Sequence, residues 1–500
     1  MKHAQRGRFL RVSSSARPQR SCALSVSRKP VRFVRSLRLI RQSRRRPSLC
    51  AFDPCERRRN GEHHRKHSTS RLSRDRLGGG EGLIRGPTQA EQPPSTAIRW
   101  LGVITIATTA FVIVATEFAP TAVLPAVAAD FNVPLGATGM MTAIPGLIAA
   151  LTAPLAMRIP ASWDRRFVLA SAGFLTVGAN ALVVAGQAFP VVLLGRVSAG
   201  LALGMFWTVG AAAAVRLVGD AHGVRAISIV SGGTSLGLVA GMPAGSLVGP
   251  PENWRAVFVV FAVAALAATF LLAALLPRLQ GDTTAHHDRL AQAPVRKALA
   301  RPVVLWGLVT AFTVFVGQFA SSTFLGAFLG TSVALPALLT AVLTVFGGVG
   351  ILGMLIASFS FARHAYATLS ATIALLTAVI GLVALVSASG SPAAVVVVVV
   401  ILWGTVWGAV PFGLQTWMLT QAPDNRETVS AALVVAIQLG IGAGSGLGSL
   451  ALRVSELASG GGEPAYTTIF IVSAVICVVA LSLFATGTRS RPGARKASRS

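Results

Sequence analysis

The sequence is dominated by long apolar stretches that contain no charged residue. A helix needs about 20 such residues to cross the hydrocarbon core of a bilayer. Glu117 is the one charge between Trp100 and Ala128. Further uncharged stretches follow at residues 131–157, 167–195, 197–215, 226–251 and 256–277. Six membrane-spanning helices are therefore predicted in this part of the chain.

The C-terminal part of the chain repeats this pattern. Residues 302–362 and 365–423 are each long enough for two helices, with breaks predicted at Thr331–Pro336 and Ser387–Pro392. Residues 428–452 and 464–488 supply one helix each. Two sets of six helices indicate an internal duplication. The predicted fold is an all-α membrane protein with twelve transmembrane helices in two six-helix pseudo-repeats.

Charge divides the chain into the predicted domains. Residues 1–99 carry +19 of the total formal charge of +28, and their Arg- and Ser-rich composition predicts disorder. An organelle transit peptide and a start further downstream are alternative interpretations of this segment. The predicted organisation is a basic leader (1–96), an N-terminal half (97–277), a linker loop (278–302), a C-terminal half (303–488) and a basic tail (489–500).

Loop charges predict the orientation. If the chain enters the first helix from the cytoplasm, 17 basic residues of the body lie on the cytoplasmic side, and only Arg255 and Arg453 lie opposite. Cytoplasmic loops are enriched in Lys and Arg. The asymmetry predicts a multi-pass protein of the cell inner membrane with both termini in the cytoplasm.

Two ionisable residues fall within the span pattern, Glu117 in helix 1 and Arg196 at the edge of helix 4. Charges at membrane depth are costly and usually functional. A poorly solvated carboxyl group can bind and release a proton near neutral pH. Glu117 is therefore predicted to couple transport to protons, unless it is permanently paired with Arg196. Arg196 could modulate Glu117, bind substrate or simply bond helix carbonyl groups.

Polar and aromatic residues within the spans are candidates for a cavity lining. The alternative for each is a satisfied interhelical hydrogen bond or an anchor at the membrane interface. The candidates are Asn180, Trp207, Gln318, Trp403, Trp407, Gln415 and Gln438.

Glycines recur at helical spacing in the fifth helix of each half. Glycines four residues apart make a smooth face that another helix can approach closely. We interpret these faces either as helix packing alone or as sliding surfaces between the two halves. The positions singled out are Gly237, Gly241, Pro243 and Gly245 in helix 5, and Gly442 and Gly446 in helix 11.

Several classes of function are excluded or disfavoured. Charged residues make up only 12% of the chain, too few to cover a water-soluble enzyme. No G-x-x-x-x-G-K-[ST] loop is present, which excludes a Walker A nucleotide site and favours a secondary carrier. No enzymatic activity, cofactor, metal site or nucleic-acid partner is predicted. The basic leader nevertheless leaves open an anchored binder of anionic polymers or lipids.

Residues 97–488 resemble the major facilitator superfamily, and more narrowly its drug:proton antiporter branch of sugar, drug and purine-nucleoside exporters. The segments TEF and LPAVAADF of helix 1, the R-x3-G-x3-G pattern at Arg196, the glycine-proline run of helix 5 and the segment QLGIGAG of helix 11 carry the resemblance. It implies that Glu117 is the proton-coupling acid, that Arg196 acts in coupling or gating, and that Gly241, Pro243 and Gly245 form an antiporter hinge.

The loop between helices 2 and 3 departs from the superfamily pattern G-x3-D-R-x-G-R-[RK]. It reads PLAMRIPASWDRR, so the predicted cytoplasmic gate reduces to Asp164, Arg165 and Arg166. We expect a monomer that exports a drug, nucleoside or sugar in exchange for protons, its partners being that solute, protons and the bilayer. The alternatives are a proton-independent facilitator or importer of the same fold and the leader-based binder.

Overall fold

The computed structural model describes residues 96–156, 163–249, 253–279, 301–333, 335–459 and 463–489. Residues 1–95, most of the linker loop and residues 490–500 lie outside the described residues. The disordered leader and the basic tail therefore remain predictions.

Twelve helices are long and apolar enough to cross a membrane, and the described residues contain no β-strand. The predicted fold class is thereby confirmed. The helices are α1 (Thr96–Phe118), α2 (Leu135–Ala156), α3 (Arg165–Ala185), α4 (Phe189–Val218), α5 (Ala221–Val248), α6 (Ala256–Leu275), α7 (Pro302–Ser332), α8 (Pro336–Phe361), α9 (Arg363–Ala388), α10 (Ala393–Gln421), α11 (Thr428–Ala458) and α12 (Ala465–Gly487).

Two helix boundaries differ from the prediction. Helix α1 ends at Phe118, and a separate short helix, Pro120–Asp130, follows. The uncharged stretch 167–195 is also not one span, because α3 ends at Ala185 and α4 begins at Phe189. Prolines near both restarts explain the breaks, since proline suits the first turn of a helix. Arg196 therefore lies inside α4, not at the edge of a span as predicted.

The junction of α8 and α9 is a kink in otherwise continuous helix. Only His364, with φ −139° and ψ 55°, departs from helical geometry between Pro336 and Ala388. Helices α8 and α10 cross so closely that a Cβ atom at Gly350 would lie 3.3 Å from the carbonyl oxygen of Gly404. Glycines on both helices therefore allow the backbones of α8 and α10 to approach closely within the C-terminal half.

The two halves meet at one end of the bundle. We call the end at which α1 begins and α6 finishes the linker end, and the opposite one the far end. At the far end a hydroxyl–hydroxyl hydrogen bond joins Ser246 of α5 to Thr340 of α8. Nearer the middle, a Cβ atom at Gly146 of α2 would lie 2.8 Å from the carbonyl oxygen of Gln438 in α11. Through these contacts the two halves pack against each other from the middle of the bundle to the far end.

At the linker end, the α5 side of this interface is exposed. Ser228, Ser231 and Ser235 lie on one face of that helix, and all three are exposed. Ser235 also lines the central cavity described below. Ser231 and Ser228 therefore continue the helix face of Ser235 from the cavity towards the linker end.

Candidate functional site

Arg196 donates three hydrogen bonds to backbone carbonyl groups of two other helices. Its Nε lies 2.7 Å from the carbonyl oxygen of Met141 in α2. Its two terminal nitrogens lie 3.2 Å from the carbonyl oxygens of Thr116 and Glu117 in α1. The side chain is only 1% exposed, so these bonds satisfy a guanidinium that water does not reach.

Two of these carbonyl groups lack a helical donor because of proline. In an α-helix a carbonyl accepts from the N–H four residues ahead. Pro120 stands four residues after Thr116, and Pro145 stands four residues after Met141. Proline carries no N–H, so both carbonyl groups would remain without a helical partner. Arg196 replaces two missing donors at once and ties α1, α2 and α4 together.

The carboxylate of Glu117 does not pair with Arg196. No salt bridge joins Glu117 to Arg196, whereas one joins Arg255 to Asp130, at 2.7 Å. Glu117 is 4% exposed, and its Oε1 accepts a hydrogen bond from Nε2 of Gln438 at 3.4 Å. Gln438 belongs to α11, in the other half. The acid of α1 thus makes its side-chain bond across the interface between the halves.

A central cavity of about 90 Å³ lies between the halves, and Phe118, the residue after Glu117, belongs to its lining. Helices α1, α5, α7, α8 and α10 contribute to its lining. Four aromatic rings line it together with aliphatic residues and glycines, and the Phe319 ring centroid lies 5.8 Å from that of Phe118 and 6.0 Å from that of Trp407. The described lining residues include no charged side chain. Gln318, Ser235 and Ser322 supply side-chain polar groups.

The structure brings some of the cavity candidates together and separates others. Gln318 and Trp407 line the cavity. Trp403 is fully buried behind them, where its Nε1 donates to Oε1 of Gln318 at 2.9 Å. Gln438 bonds Glu117, as described above. These four candidates therefore form one neighbourhood around the interface.

The remaining three candidates do not line this cavity. Asn180 is fully buried and donates to the carbonyl of Thr176 in its own helix, at 2.9 Å. Trp207 is 36% exposed and packs against Phe206. Gln415 is exposed on α10, towards the linker end. Asn180 therefore matches neither expectation, because its Nδ2 bonds only its own helix and its buried Oδ1 has no partner among the described residues.

The glycine face of α5 packs within its own half. Cβ atoms at Gly237, Gly241 and Gly245 would lie 2.6, 2.9 and 2.5 Å from carbonyl oxygens of the α1 segment and the residue after it. This face is therefore not a surface between the halves. Gly442 of α11 does face the other half, because a Cβ atom there would lie 2.8 Å from the carbonyl oxygen of Ala143 in α2. The hinge role of Pro243 stays a prediction.

The predicted gate residues bond the end of their own half. Asp164 caps α3 by accepting from the N–H of Arg166 at 3.0 Å, and it also accepts from the N–H of Leu279 at 2.9 Å. The Arg166 guanidinium donates to the carbonyl of Ala273 in α6. The backbone N–H of Arg165 donates to the carbonyl of Leu279. In this conformation the cluster fastens the start of the linker.

Sequence reasoning missed several residues of the site. Ser235, Ser322, Phe319 and Phe346 all line the cavity. Serine and phenylalanine are common in membrane helices, so their presence gave no signal. The two prolines next to the Arg196 bonds were visible in the sequence, but nothing there placed them beside an arginine.

Comparisons with known proteins agree with this architecture. A bacterial homologue of the human lysosomal transporter Spinster, solved in an inward-facing and occupied conformation, superposes with a TM-score of 0.67 at 15% identity, covering 80% of this chain and 98% of that one. The nucleoside transporter NupG superposes with a TM-score of 0.63 at 12% identity, over 79% and 100% of the two chains. At these identities the likeness shows the fold alone.

Sequence comparison gives the family. The protein called "Transcription regulatory protein OpdE" of Pseudomonas aeruginosa is 32% identical over 410 residues, which cover 80% of this chain and 97% of that protein. Residues 106–445 match the Major Facilitator Superfamily. Together with twelve apolar helices, these matches make the chain a multi-pass membrane protein with the fold of secondary transporters that work by alternating access. The chain belongs to the major facilitator superfamily.

Proposed function

We propose that this protein exports a small organic solute in exchange for protons, with Glu117 as the coupling acid. The observation that carries the proposal is the hydrogen bond from Gln438 to the Glu117 carboxylate, which links the two halves at 3.4 Å, one residue before the cavity-lining Phe118. Intramembrane acids commonly mark proton pathways. A proton on Glu117 therefore acts at the surface where the halves must separate.

The coupling step follows from the chemistry of this bond. A carboxylate accepts a charge-assisted hydrogen bond from the Gln438 amide, and protonation removes the charge that strengthens it. Two conformations that differ in this contact then bind the proton with different affinity. A ligand shifts an equilibrium only through such a difference. Proton binding and release at Glu117 would thus bias the two halves between inward-facing and outward-facing arrangements.

The direction of transport in the proposal rests on orientation. The excess of basic residues at the linker end favours a cytoplasmic linker end. The halves contact each other at the far end, and the serine face of α5 is exposed towards the linker end. The conformation is then inward-facing, ready to take up solute from the cytoplasm. Exchange of this solute for protons that enter the cell down their gradient drives export.

Everted vesicles from cells with and without the protein test the proposal. A proton gradient is imposed, and uptake of radiolabelled chloramphenicol, inosine and lactose is followed, one solute for each predicted class. We expect gradient-driven accumulation of at least one solute, abolished by a protonophore. In Glu117→Gln, accumulation should fall at least tenfold, whereas solute–solute exchange in proteoliposomes should persist.

Asp130→Asn is the matched control, because it removes a carboxylate from the far end, where Asp130 pairs with Arg255 in a partly exposed salt bridge. Such pairs contribute only about 0.2–1 kcal/mol. This variant should accumulate solute normally. Normal accumulation by Glu117→Gln would refute the coupling assignment. Wild-type transport that ignores the gradient would instead favour the alternative of a proton-independent facilitator.

A further inference from the structure

We propose that the central cavity selects uncharged, flat, acceptor-bearing aromatic solutes and that Gln318 and Ser322 supply the two hydrogen-bond donors that recognise them. This inference rests on the proposed function in taking the cavity as the place where the transported solute binds. It adds the substrate class and the residues that determine it.

The orientation of the Gln318 amide is fixed by its neighbour. The indole N–H of Trp403 can only donate, so the Gln318 atom 2.9 Å from it must be the oxygen. The amide nitrogen Nε2 is then left for another partner. Among the described residues it has no hydrogen-bond acceptor, and Gln318 lines the cavity whereas Trp403 does not. Gln318 thus presents N–H donors to an occupant of the cavity.

Ser322 supplies a second polar group one turn further along α7. Most buried hydroxyl groups in this chain bond the carbonyl one turn back, as Thr109 does to Thr105 and Thr176 to Ala172. The Ser322 hydroxyl is buried and has no partner within the described residues, and Ser321 occupies the Gln318 carbonyl instead. Four buried hydroxyl groups of the described residues have no partner, and of these only that of Ser322 belongs to the cavity lining. A ligand acceptor would satisfy this one.

The two donors define a spacing. Four helical residues separate Gln318 from Ser322, so their attachment points lie about 6 Å apart along α7. Carbonyl or ring-nitrogen acceptors on opposite positions of a flat ring system have a comparable separation. The wall beside them is aromatic, with Phe319, Phe346 and Trp407 all in the lining. Aromatic walls favour stacking with flat apolar rings.

The lining disfavours a charged solute. The described lining residues carry no charge, and burying an unpaired ion in such surroundings is costly. The acid nearest in sequence is Glu117, next to the lining residue Phe118, and its carboxylate is already bonded to Gln438. The Arg196 guanidinium bonds the backbone carbonyl of Glu117, the residue before the lining residue Phe118, and its positive charge further disfavours a cation there. A cation therefore finds no compensating partner there.

Binding to the purified full-length protein in detergent tests the inference, with no proton gradient present. Two matched pairs serve as probes: caffeine with the 1,3,7,9-tetramethylxanthinium cation, and 10-methylacridone with the 10-methylacridinium cation. Neither neutral member has a donor; caffeine offers two carbonyl oxygens and a ring nitrogen as acceptors, and 10-methylacridone offers one carbonyl oxygen. We expect at least one neutral member to bind, at least tenfold more tightly than its cation. Gln318→Leu should weaken that binding at least fivefold.

Gln415→Leu is the matched control, because it makes the same change at an exposed position outside the lining. It should leave probe affinity unchanged. Ser322→Ala separates recognition from structure: it removes an unpaired hydroxyl, so the melting temperature should hold or rise while probe affinity falls. Tighter binding of a cation, failure of both neutral members to bind, or equal affinity in Gln318→Leu and wild type would each overturn the inference.

Failure of this inference is distinguishable from failure of the proposed function. The binding assay involves no proton transfer, so a wrong assignment of Glu117 does not affect it. Conversely, Glu117→Gln should still discriminate neutral from cationic probes. Loss of gradient-driven transport in that variant with retained discrimination would support both statements independently.

Discussion

Arg196 offers the sharpest test of how this bundle is held together. Its guanidinium donates to the carbonyl groups of Thr116 and Met141, whose helical donors are missing because of Pro120 and Pro145. A buried acceptor left without a donor costs about 1–3 kcal/mol. Arg196→Met should therefore lower the free energy of unfolding by about 2–6 kcal/mol from these two carbonyl groups.

A proline substitution should partly rescue this loss. Pro145→Ala restores a backbone N–H that can donate to the Met141 carbonyl, which Arg196 otherwise satisfies. The stabilisation from Pro145→Ala should thus be greater by about 1–2 kcal/mol when Arg196 is absent than when it is present. The cycle is measured in the wild-type background, where the charge effect of removing Arg196 is the same with and without Pro145→Ala and therefore cancels from the coupling energy.

Equilibrium unfolding by SDS in mixed micelles, followed by tryptophan fluorescence, gives the four free energies. Pro154→Ala is the matched control, because Pro154 lies in the same helix and no hydrogen bond from Arg196 reaches the carbonyl four residues before it. Its effect should add to that of Arg196→Met within about 0.5 kcal/mol. If Arg196→Met does not fold, Arg196→Lys replaces it, since one ammonium cannot serve both helices. Equal coupling for Pro145 and Pro154 would refute the reasoning.

Two further predictions concern the far end and the linker. Gly146→Leu places a side chain where a Cβ atom would already lie 2.8 Å from α11, so it should prop the halves apart and raise labelling of a far-end cysteine by a membrane-impermeant maleimide. Gly178→Leu, at a glycine with nothing within 4 Å, is its control, and equal labelling of both variants would contradict the prediction. Asp164→Ala removes a helix cap and the bond to Leu279, so the free energy of unfolding should fall by about 1–2 kcal/mol in the same SDS assay. No change in that free energy would mean that the linker start is held by other contacts.

Hydrophobicity predicted the number of spans because the bilayer imposes their length. It did not predict where helices restart. The scarcity of charge was taken as helix continuity, whereas the helix ends at Phe118 and Ala185 fall inside stretches that were each predicted to be one span. Both breaks are marked by nearby prolines, which a charge-based division of the sequence ignores.

The sequence predicted individual residues of the site, but it did not predict which of them contact each other. Glu117 and Gln438 were both singled out, yet they stand 321 positions apart, and no local pattern joins them. Arg196 was considered as a partner of a side chain or of carbonyl groups, and the structure shows the second arrangement. Its partners are backbone carbonyl groups, which every residue type carries, so the amino-acid sequence could not predict which residues Arg196 bonds.

The glycines of α11 bear on how freely this helix can change in sequence. Cβ atoms at Gly440 and Gly444 would lie 2.8 and 2.5 Å from carbonyl oxygens of α7, whereas one at Gly442 would lie 2.8 Å from a carbonyl of α2. One helix is therefore bounded by backbone on two sides, one in each half. In a saturation mutagenesis screen, substitutions at every second residue of this part of α11 should abolish function. In α5, whose glycines face one neighbouring helix, we expect this at every fourth residue.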